Sequence, residues 1–171
     1  MGPCFPSLKY ITPNPSADCT GFNPRCIRRD ISVYSSSGWT KDSDTADVIK
    51  NYPDPTAWIN RFQGDFPNGY MGVHTGGHFT WGGDPGGDFA NSPADPVFWL
   101  HHANVDRVFW IWQNQNPDAR TYAVGGTITI NNNPPSRNAT LDDLIDLGVN
   151  GGSLTLRQAS STIGGPFCYV Y

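Results

Sequence analysis

The stretch from Asp95 to Gln113 constrains the fold most, because it predicts a single long helix. Asp95 followed by Pro96 is typical of a helix start. The carboxylate accepts the free N–H groups of the first turn, and proline at the first helical position has no N–H to lose. Beyond it, residues at three- and four-residue steps share one stripe of the helix, and an imidazole stands in this otherwise apolar stripe: Phe98, His102, Val105, Phe109 and Trp112.

The four histidines of the chain lie within twenty-nine residues, at positions 74, 78, 101 and 102. His74 and His78 are four apart, so in a helix both project from one face, which is the spacing that two imidazoles need to share an ion. Asp106 stands one turn after His102, where a carboxylate accepts the N–H of a ligating imidazole. The spacing predicts a three-histidine site for copper or zinc. The alternative is a set of core histidines with satisfied hydrogen bonds.

The same stretch resembles the second copper-binding signature of the tyrosinase family, the type-3 copper oxidases that include catechol oxidases and o-aminophenol oxidases. The residues that carry this resemblance are Asp95, Pro96, Phe98, Trp99, His102 and Asp106. Upstream, His74-Thr-Gly-Gly-His78 followed by Gly82-Gly83 is similar to the segment that supplies the other two ligands of that copper. The ending Tyr169-Val-Tyr171 resembles the Tyr-x-Tyr motif that closes the family's catalytic domain. The likeness covers about residues 25 to 171.

The resemblance implies that His74, His78 and His102 are the ligands of one copper ion. His101 is its neighbour and points off the ligand face, since adjacent helical residues lie about a hundred degrees apart. Phe98 and Asp106 are expected beside the ligands.

The resemblance also implies a fold that is mainly α, with a loop-rich periphery and a small β hairpin, equivalent to half of the tyrosinase-type helical bundle. Alternating β-branched residues around Gly125-Gly126 place the hairpin at Thr121–Ile130. We expect residues 1–171 to form one partial domain that carries the second copper site and the closing tail, with the first-copper half absent.

The histidine count limits what this chain does alone. A coupled copper pair in this family needs six imidazoles, three for each ion, and this chain has four. We therefore expect one copper ion from this chain, against two in the intact domain. The implied reaction partners are a small phenolic substrate and dioxygen, completed by the missing half or by a partner chain, and activity of this chain alone is not expected.

Three residues are candidates for the substrate pocket. Gln63 stands where the family has a glutamate, and Thr75 follows His74 where the family has an asparagine. Neither side chain is a base at neutral pH. The resemblance thus favours oxidation of o-diphenols or o-aminophenols over hydroxylation of monophenols. Phe79 is expected to stack on a substrate ring or to be plain core, and Gly76-Gly77 are expected to leave room for that ring.

Two other functions compete with the oxidase. One is a non-catalytic remnant or partner subunit, with a single three-histidine metal site or with none. The other is a zinc site with an open water, hydrolytic in principle, although no acid or base partner is placed to assist it.

Composition excludes some classes of protein. A net charge of −4 with no basic run argues against nucleic acid as a partner, and no stretch approaches the length of a membrane span. With 19 Gly, 15 Pro and 37% hydrophobic residues, the chain is rich in loops. The helix at 95–113 takes three of the six Trp, so we expect part of it to expose an apolar face.

Cysteines and a sequon bear on location. Four cysteines, Cys4, Cys19, Cys26 and Cys168, allow three disulfide pairings. Asn138-Ala-Thr140 is an acceptor sequence for N-glycosylation. Both favour a secreted protein, although no signal peptide is visible after Met1. A cytoplasmic protein with four thiols is the alternative.

Overall fold

The computed structural model describes residues 21–22, 24, 26–88 and 91–171. Within these residues the regular structure is mainly helical, which confirms the predicted fold class. The helices are α1 (Val33–Trp39), α2 (Asp42–Asn51), α3 (Pro55–Gln63), α4 (Gly72–Trp81), α5 (Gly83–Gly86), α6 (Pro96–Asn114), α7 (Pro117–Arg120) and α8 (Leu156–Ala159). Short 3₁₀ turns lie at Phe66–Asn68, Ser92–Ala94, Ile130–Asn132 and Gly148–Asn150.

The chain forms two compact units. One contains the described residues up to Asp44 together with Gln63–Val105, and the other contains Thr45–Phe62 with Asp106–Tyr171. Helices α2, α3 and α6 each contribute residues to both units. The four histidines all lie in the first unit.

Asp95 begins α6 as predicted and has a second role. One carboxylate oxygen accepts the Val97 N–H at 2.9 Å, which caps the first turn. The carboxylate is fully buried and receives two parallel hydrogen bonds from the Arg29 guanidinium, at 2.8 and 3.0 Å. Arg29 holds the pKa of the Asp95 carboxyl below its usual range, so the buried group stays ionised. The cap and the ion pair together fix the start of the long helix.

The segment before α1 runs along the end of α4. Arg28 and Asp84 exchange two backbone hydrogen bonds of 2.7 Å, and Asp30 N–H donates to the carbonyl of Trp81 at 3.0 Å. Ser32 then caps α1, since its hydroxyl accepts the N–H of Ser35. This helix is absent from the sequence prediction because Val33–Trp39 contains a run of three serines and shows no apolar periodicity.

The core of the second unit is built around Trp112, which is fully buried. Its ring lies 5.3 Å from that of Trp58 and is stacked with that of Phe109. The indole N–H donates to the carbonyl of Tyr52 at 2.8 Å, and the Arg120 guanidinium covers the ring at 4.7 Å. A buried indole with a satisfied N–H and a cation on its face is a strong packing centre.

The closing tail is bound to α6 through one carboxylate. The hydroxyls of Tyr169 and Tyr171 both donate to the same oxygen of Asp106, at 2.7 and 2.8 Å. Partial burial and this carboxylate raise the pKa of Tyr171 to about 12, and they raise the pKa of Tyr169 as well. Both phenols are therefore protonated donors at neutral pH.

The hairpin prediction at Thr121–Ile130 is wrong, although a small sheet exists elsewhere. Its strands are β1 (Leu144–Ile145) and β2 (Leu154–Thr155), which pair antiparallel. In the predicted segment, Gly125 lies so close to Thr56 that a Cβ would overlap that side chain. The segment packs on the start of α3 instead of folding back on itself, and Thr127 forms a bridge with Asn138.

The expected exposed apolar face is present on α6. Trp99 is 64% exposed and Leu100 is 74% exposed. They directly precede His101 and His102, so the exposed apolar side chains lie beside the histidine pair in sequence.

Several expectations on location stay predictions. Cys26 and Cys168 are exposed and free among the described residues, whereas Cys4 and Cys19 lie outside them. Asn138 is exposed, as a glycosylated asparagine must be. In the described part of the chain, every helix is too short or too polar to cross a membrane.

We expect Trp112→Ala to lower the free energy of unfolding by about 3–5 kcal/mol, because it removes the packing centre of the second unit and leaves a cavity. Urea unfolding followed by circular dichroism measures the change. Trp99→Ala, on the same helix but mostly exposed, is the control and should cost less than about 1 kcal/mol. Equal losses for the two variants would contradict this account of the core.

Candidate metal centre

Helices α4 and α6 bring the histidines together, and the glycines of α4 allow the approach. A Cβ on Gly77 would overlap the His101 ring, and one on Gly76 would lie 2.9 Å from the Cβ of Trp39. The expectation that these glycines leave room for a substrate ring is wrong, because His101 and Trp39 fill that space. Each glycine costs about 1 kcal/mol against alanine within a helix, and the close packing of the neighbouring side chains offsets this cost.

The imidazole of His102 faces those of both His74 and His78. Nε2 of His102 lies 3.4 Å from Nε2 of His74 and 3.2 Å from Nε2 of His78. Ligand nitrogens about 2.0–2.1 Å from a common ion are about 3.3–3.6 Å apart in tetrahedral or trigonal geometry. Both separations are therefore close to those between two nitrogen ligands of one transition-metal ion.

The other ring nitrogen of His74 is held by a hydrogen bond. Nδ1–H of His74 donates to the side-chain oxygen of Gln63. A neutral imidazole has one N–H, so this bond places the second lone pair of the ring on Nε2. His78 makes a hydrogen bond with the backbone of Gly86. Partners of this kind orient metal-ligating histidines and select their tautomer.

His101 is the alternative third ligand. One ring nitrogen from each of His74, His78 and His101 lies within 4.8 Å of the other two. However, Nε2–H of His101 donates to the backbone carbonyl of His74 at 2.9 Å, and its ring lies against Gly77. That nitrogen is committed to a structural bond, whereas Nε2 of His102 faces the other two. His102 as the third ligand therefore stays a prediction.

The cluster is neutral at physiological pH. Burial, followed by repulsion from neighbouring imidazoles, lowers the pKa of His74 to about 3 and that of His101 to about 4. The same causes lower the pKa of His78, and burial lowers that of His102. Neutral imidazole is the form that binds a metal ion, so no proton has to leave before an ion enters at pH 7.

The two residues predicted beside the ligands differ in where the structure places them. The Phe98 ring lies 4.1 Å from that of His102 and 5.9 Å from that of His78, so it walls the site. The Asp106 carboxylate accepts the two tail tyrosine hydroxyls. Its predicted hydrogen bond with the His102 imidazole stays a prediction.

Two substrate-pocket candidates make hydrogen bonds within the protein, and their place in a substrate pocket stays a prediction. The Thr75 hydroxyl donates to the backbone carbonyl of Gln63 at 2.6 Å, which ties α4 to the end of α3. The Gln63 side chain accepts from His74. Gln63 is thus a hydrogen-bond partner of a predicted ligand that the sequence did not indicate.

Phe79 is not brought to the histidines. Five residues separate it from His74, which is about 140° around a helix. It lines a groove of about 370 Å³ on another side of α4, together with Tyr34, Trp39 and Met71. The predicted stacking of Phe79 on a substrate ring at the metal site has no support in this geometry.

The fold and the site define a helical protein with a histidine cluster that could hold a metal ion. Residues 1–115 match the family model of the common central domain of tyrosinase. The chain therefore belongs to the tyrosinase family.

Similar proteins include fungal oxidases. Oxidase hkm6 of Aspergillus hancockii is 35% identical over 159 residues, which cover 88% of this chain and 54% of that protein. Tyrosinase P of Aspergillus terreus is 32% identical over 152 residues, 88% of this chain and 42% of that protein. The polyphenol oxidase of Thermothelomyces thermophila (mutant G292N) superimposes with a TM-score of 0.87 at 36% identity, covering 96% of this chain and 46% of that one. The chain thus spans about half the length of these relatives.

We expect Gly77→Ala to destabilise the protein by about 1–3 kcal/mol, because the added methyl group overlaps the His101 ring. Gly38→Ala is the matched control: it also lies in a helix, but a Cβ there has no neighbour within 4 Å. Alanine at Gly38 should be neutral or stabilising by up to about 1 kcal/mol. Denaturant unfolding of both variants measures the difference, and similar effects would contradict the packing role of Gly77.

We expect the stability of the metal-free protein to fall as the pH drops below about 6.5. The unfolded histidines bind protons near that pH, whereas the lowered pKa values of His74 and His101 keep them neutral in the fold down to about pH 4. The unfolded state then binds more protons, so acid favours unfolding. This stability is fully present well above pH 6.5 and is lost as the pH falls toward the folded-state pKa values, about 4 for His101 and about 3 for His74.

Thermal midpoints between pH 7.5 and 4.5, measured by circular dichroism, test this dependence. His101→Gln keeps a donor for the His74 carbonyl but has no titrating ring, so its midpoint should fall less steeply. A midpoint of the native chain that stays constant from pH 7 to pH 5 would show that the imidazoles are not buried as described.

Proposed function

We propose that this chain is the second-copper half of a type-3 copper oxidase domain, with one copper ion bound by His74, His78 and His102. The observation that carries the proposal is that Nε2 of His102 lies 3.4 Å from Nε2 of His74 and 3.2 Å from Nε2 of His78, with all three imidazoles neutral. Imidazole suits copper in both oxidation states. Membership of the tyrosinase family supports copper over zinc.

The domain is proposed to be incomplete in residues 1–171. The chain spans about half the length of its relatives, and its four histidines are too few for two three-imidazole sites. A first-copper half, or a partner chain that brings three further imidazoles, would complete the centre. The exposed Trp99 and Leu100, which adjoin the histidine pair in sequence, support docking beside α6.

The substrate is proposed to be an o-diphenol or an o-aminophenol. When bound, copper supplies one-electron redox chemistry at the site. Conversion of an o-diphenol to an o-quinone releases two electrons and two protons, and dioxygen takes four of each to give two waters, so two diphenols react per dioxygen. One copper accepts a single electron, so this chain alone is expected to be inactive.

The residues around the ligands support this choice of substrate. Monophenol hydroxylation needs a base to deprotonate the phenol. Gln63 and Thr75 carry no ionisable group, and their side chains are occupied by His74 and by the backbone of α3. A diphenol or aminophenol reacts without such a base being positioned beside the ligands. The protein's part is to hold three imidazoles neutral and oriented, with Phe98 against one of them.

We expect the purified chain to bind one copper ion and to leave catechol and 2-aminophenol unoxidised. Metal analysis and quinone absorbance measure the two properties. His102→Ala should weaken copper binding by at least about 10-fold, since a third of the donor set is lost. His101→Gln is the control and should retain copper, because it keeps a donor for the His74 carbonyl.

If His101→Gln loses copper and His102→Ala retains it, the third ligand is His101. Rapid quinone formation by the chain alone would contradict the half-site proposal. Absence of any bound metal would favour the non-catalytic remnant, and preference for zinc with ester hydrolysis would favour the hydrolytic site.

A further inference from the structure

We propose that Gln63 is a positioning residue for the metal centre. Its side-chain oxygen holds His74 in the Nδ1–H tautomer, so that Nε2 is the atom presented to the ion. This inference rests on the proposed copper site and adds a residue that binds neither the ion nor the substrate.

The hydrogen bond between the two side chains determines the tautomer. An amide oxygen only accepts, so the shared proton belongs to Nδ1 of His74. Nε2 is on the other side of the ring, 3.4 Å from Nε2 of His102. Without an acceptor at Nδ1 the proton is free to occupy Nε2, and that tautomer cannot bind the ion through the atom that faces His102. The ring would also be free to rotate about its bond to Cβ.

The position of Gln63 is itself fixed by the fold. It is the last residue of α3, and its backbone carbonyl accepts the Thr75 hydroxyl at 2.6 Å. The next residue, Gly64, has a φ of +124°, which suits glycine. Asp65 and Tyr70 then exchange backbone hydrogen bonds of 2.7 and 3.1 Å, which close the turn back to α4. Because of this turn, side chains eleven residues apart in sequence meet.

The Gln63 amide oxygen is uncharged, which limits the strength of its hydrogen bond with the His74 imidazole. A carboxylate at the same place would accept a stronger hydrogen bond and make the imidazole a better electron donor. An amide orients the ligand without adding charge beside the ion. A glutamate should therefore retain the orienting function, whereas an apolar side chain of similar size should lose it.

The test compares Gln63→Leu with Gln63→Glu, using the full chain and Cu²⁺ as the probe. Competition with a chelator of known affinity measures copper binding, and electron paramagnetic resonance of the loaded protein reports the ligand field. Gln63→Leu should bind copper about 10- to 100-fold more weakly and show an altered copper spectrum. Gln63→Glu should bind copper more tightly than the native chain or within a few-fold of its affinity.

Two outcomes would overturn the inference. One is native copper affinity and an unchanged spectrum in Gln63→Leu. The other is equal weakening in both variants, which would mean that the acceptor at Nδ1 is not what matters. Thermal unfolding of the metal-free variants checks that they fold. If Gln63→Leu does not fold, Gln63→Ala, which also lacks the acceptor oxygen, replaces it and should weaken copper binding by the same factor.

Failure of the inference is distinguishable from failure of the copper site. If His102→Ala loses copper and Gln63→Leu does not, the site stands and the role of Gln63 falls. If His102→Ala binds copper like the native chain, the proposed site itself is wrong.

Discussion

The contact of α6 with α4 at Gly77 is the constraint on which the histidine cluster depends. With no side chain at position 77, the His101 ring lies directly on the helix and donates to the carbonyl of His74. This bond sets the position of α6 against α4, and the next residue, His102, then faces His74 and His78. His101 thus aligns the two helices, and this alignment brings His102 to face His74 and His78.

Two carboxylates hold α6 to other parts of the chain. Asp95 is buried and paired with Arg29, and Asp106 binds the hydroxyls of Tyr169 and Tyr171. In the first case a buried charge is satisfied by a bidentate partner, and in the second one oxygen accepts two neutral donors. Each carboxylate therefore holds its own part of α6 in place.

The sequence predicted the elements better than the contacts of its side chains. The Asp-Pro start of α6 and the helical spacing of His74 and His78 are local signals, and the structure follows both. The partners of Gln63 and Asp106 depend on which segments meet after the chain turns, which no local pattern encodes. The position of Phe79 is different: the angle between it and His74 on a helix is calculable from the sequence, and would have placed it away from the site.

The hairpin error has a similar origin. Alternation around Gly125-Gly126 is compatible with a turn between strands. In the structure, however, position 125 must be glycine because any side chain there would overlap Thr56. Glycine marks close approach as often as it marks a turn. Only the tertiary packing distinguishes the two.

The short sequence distance between the ligands has a consequence for how the protein reaches its folded state. His78 and His102 are 24 residues apart, so an ion held by both would act as a cross-link that closes a short loop. By the chain-entropy relation for cross-links, restricting such a loop in the unfolded chain is worth roughly 3 kcal/mol. Capture of the ion would thus stabilise the folded first unit as well as supply its proposed copper.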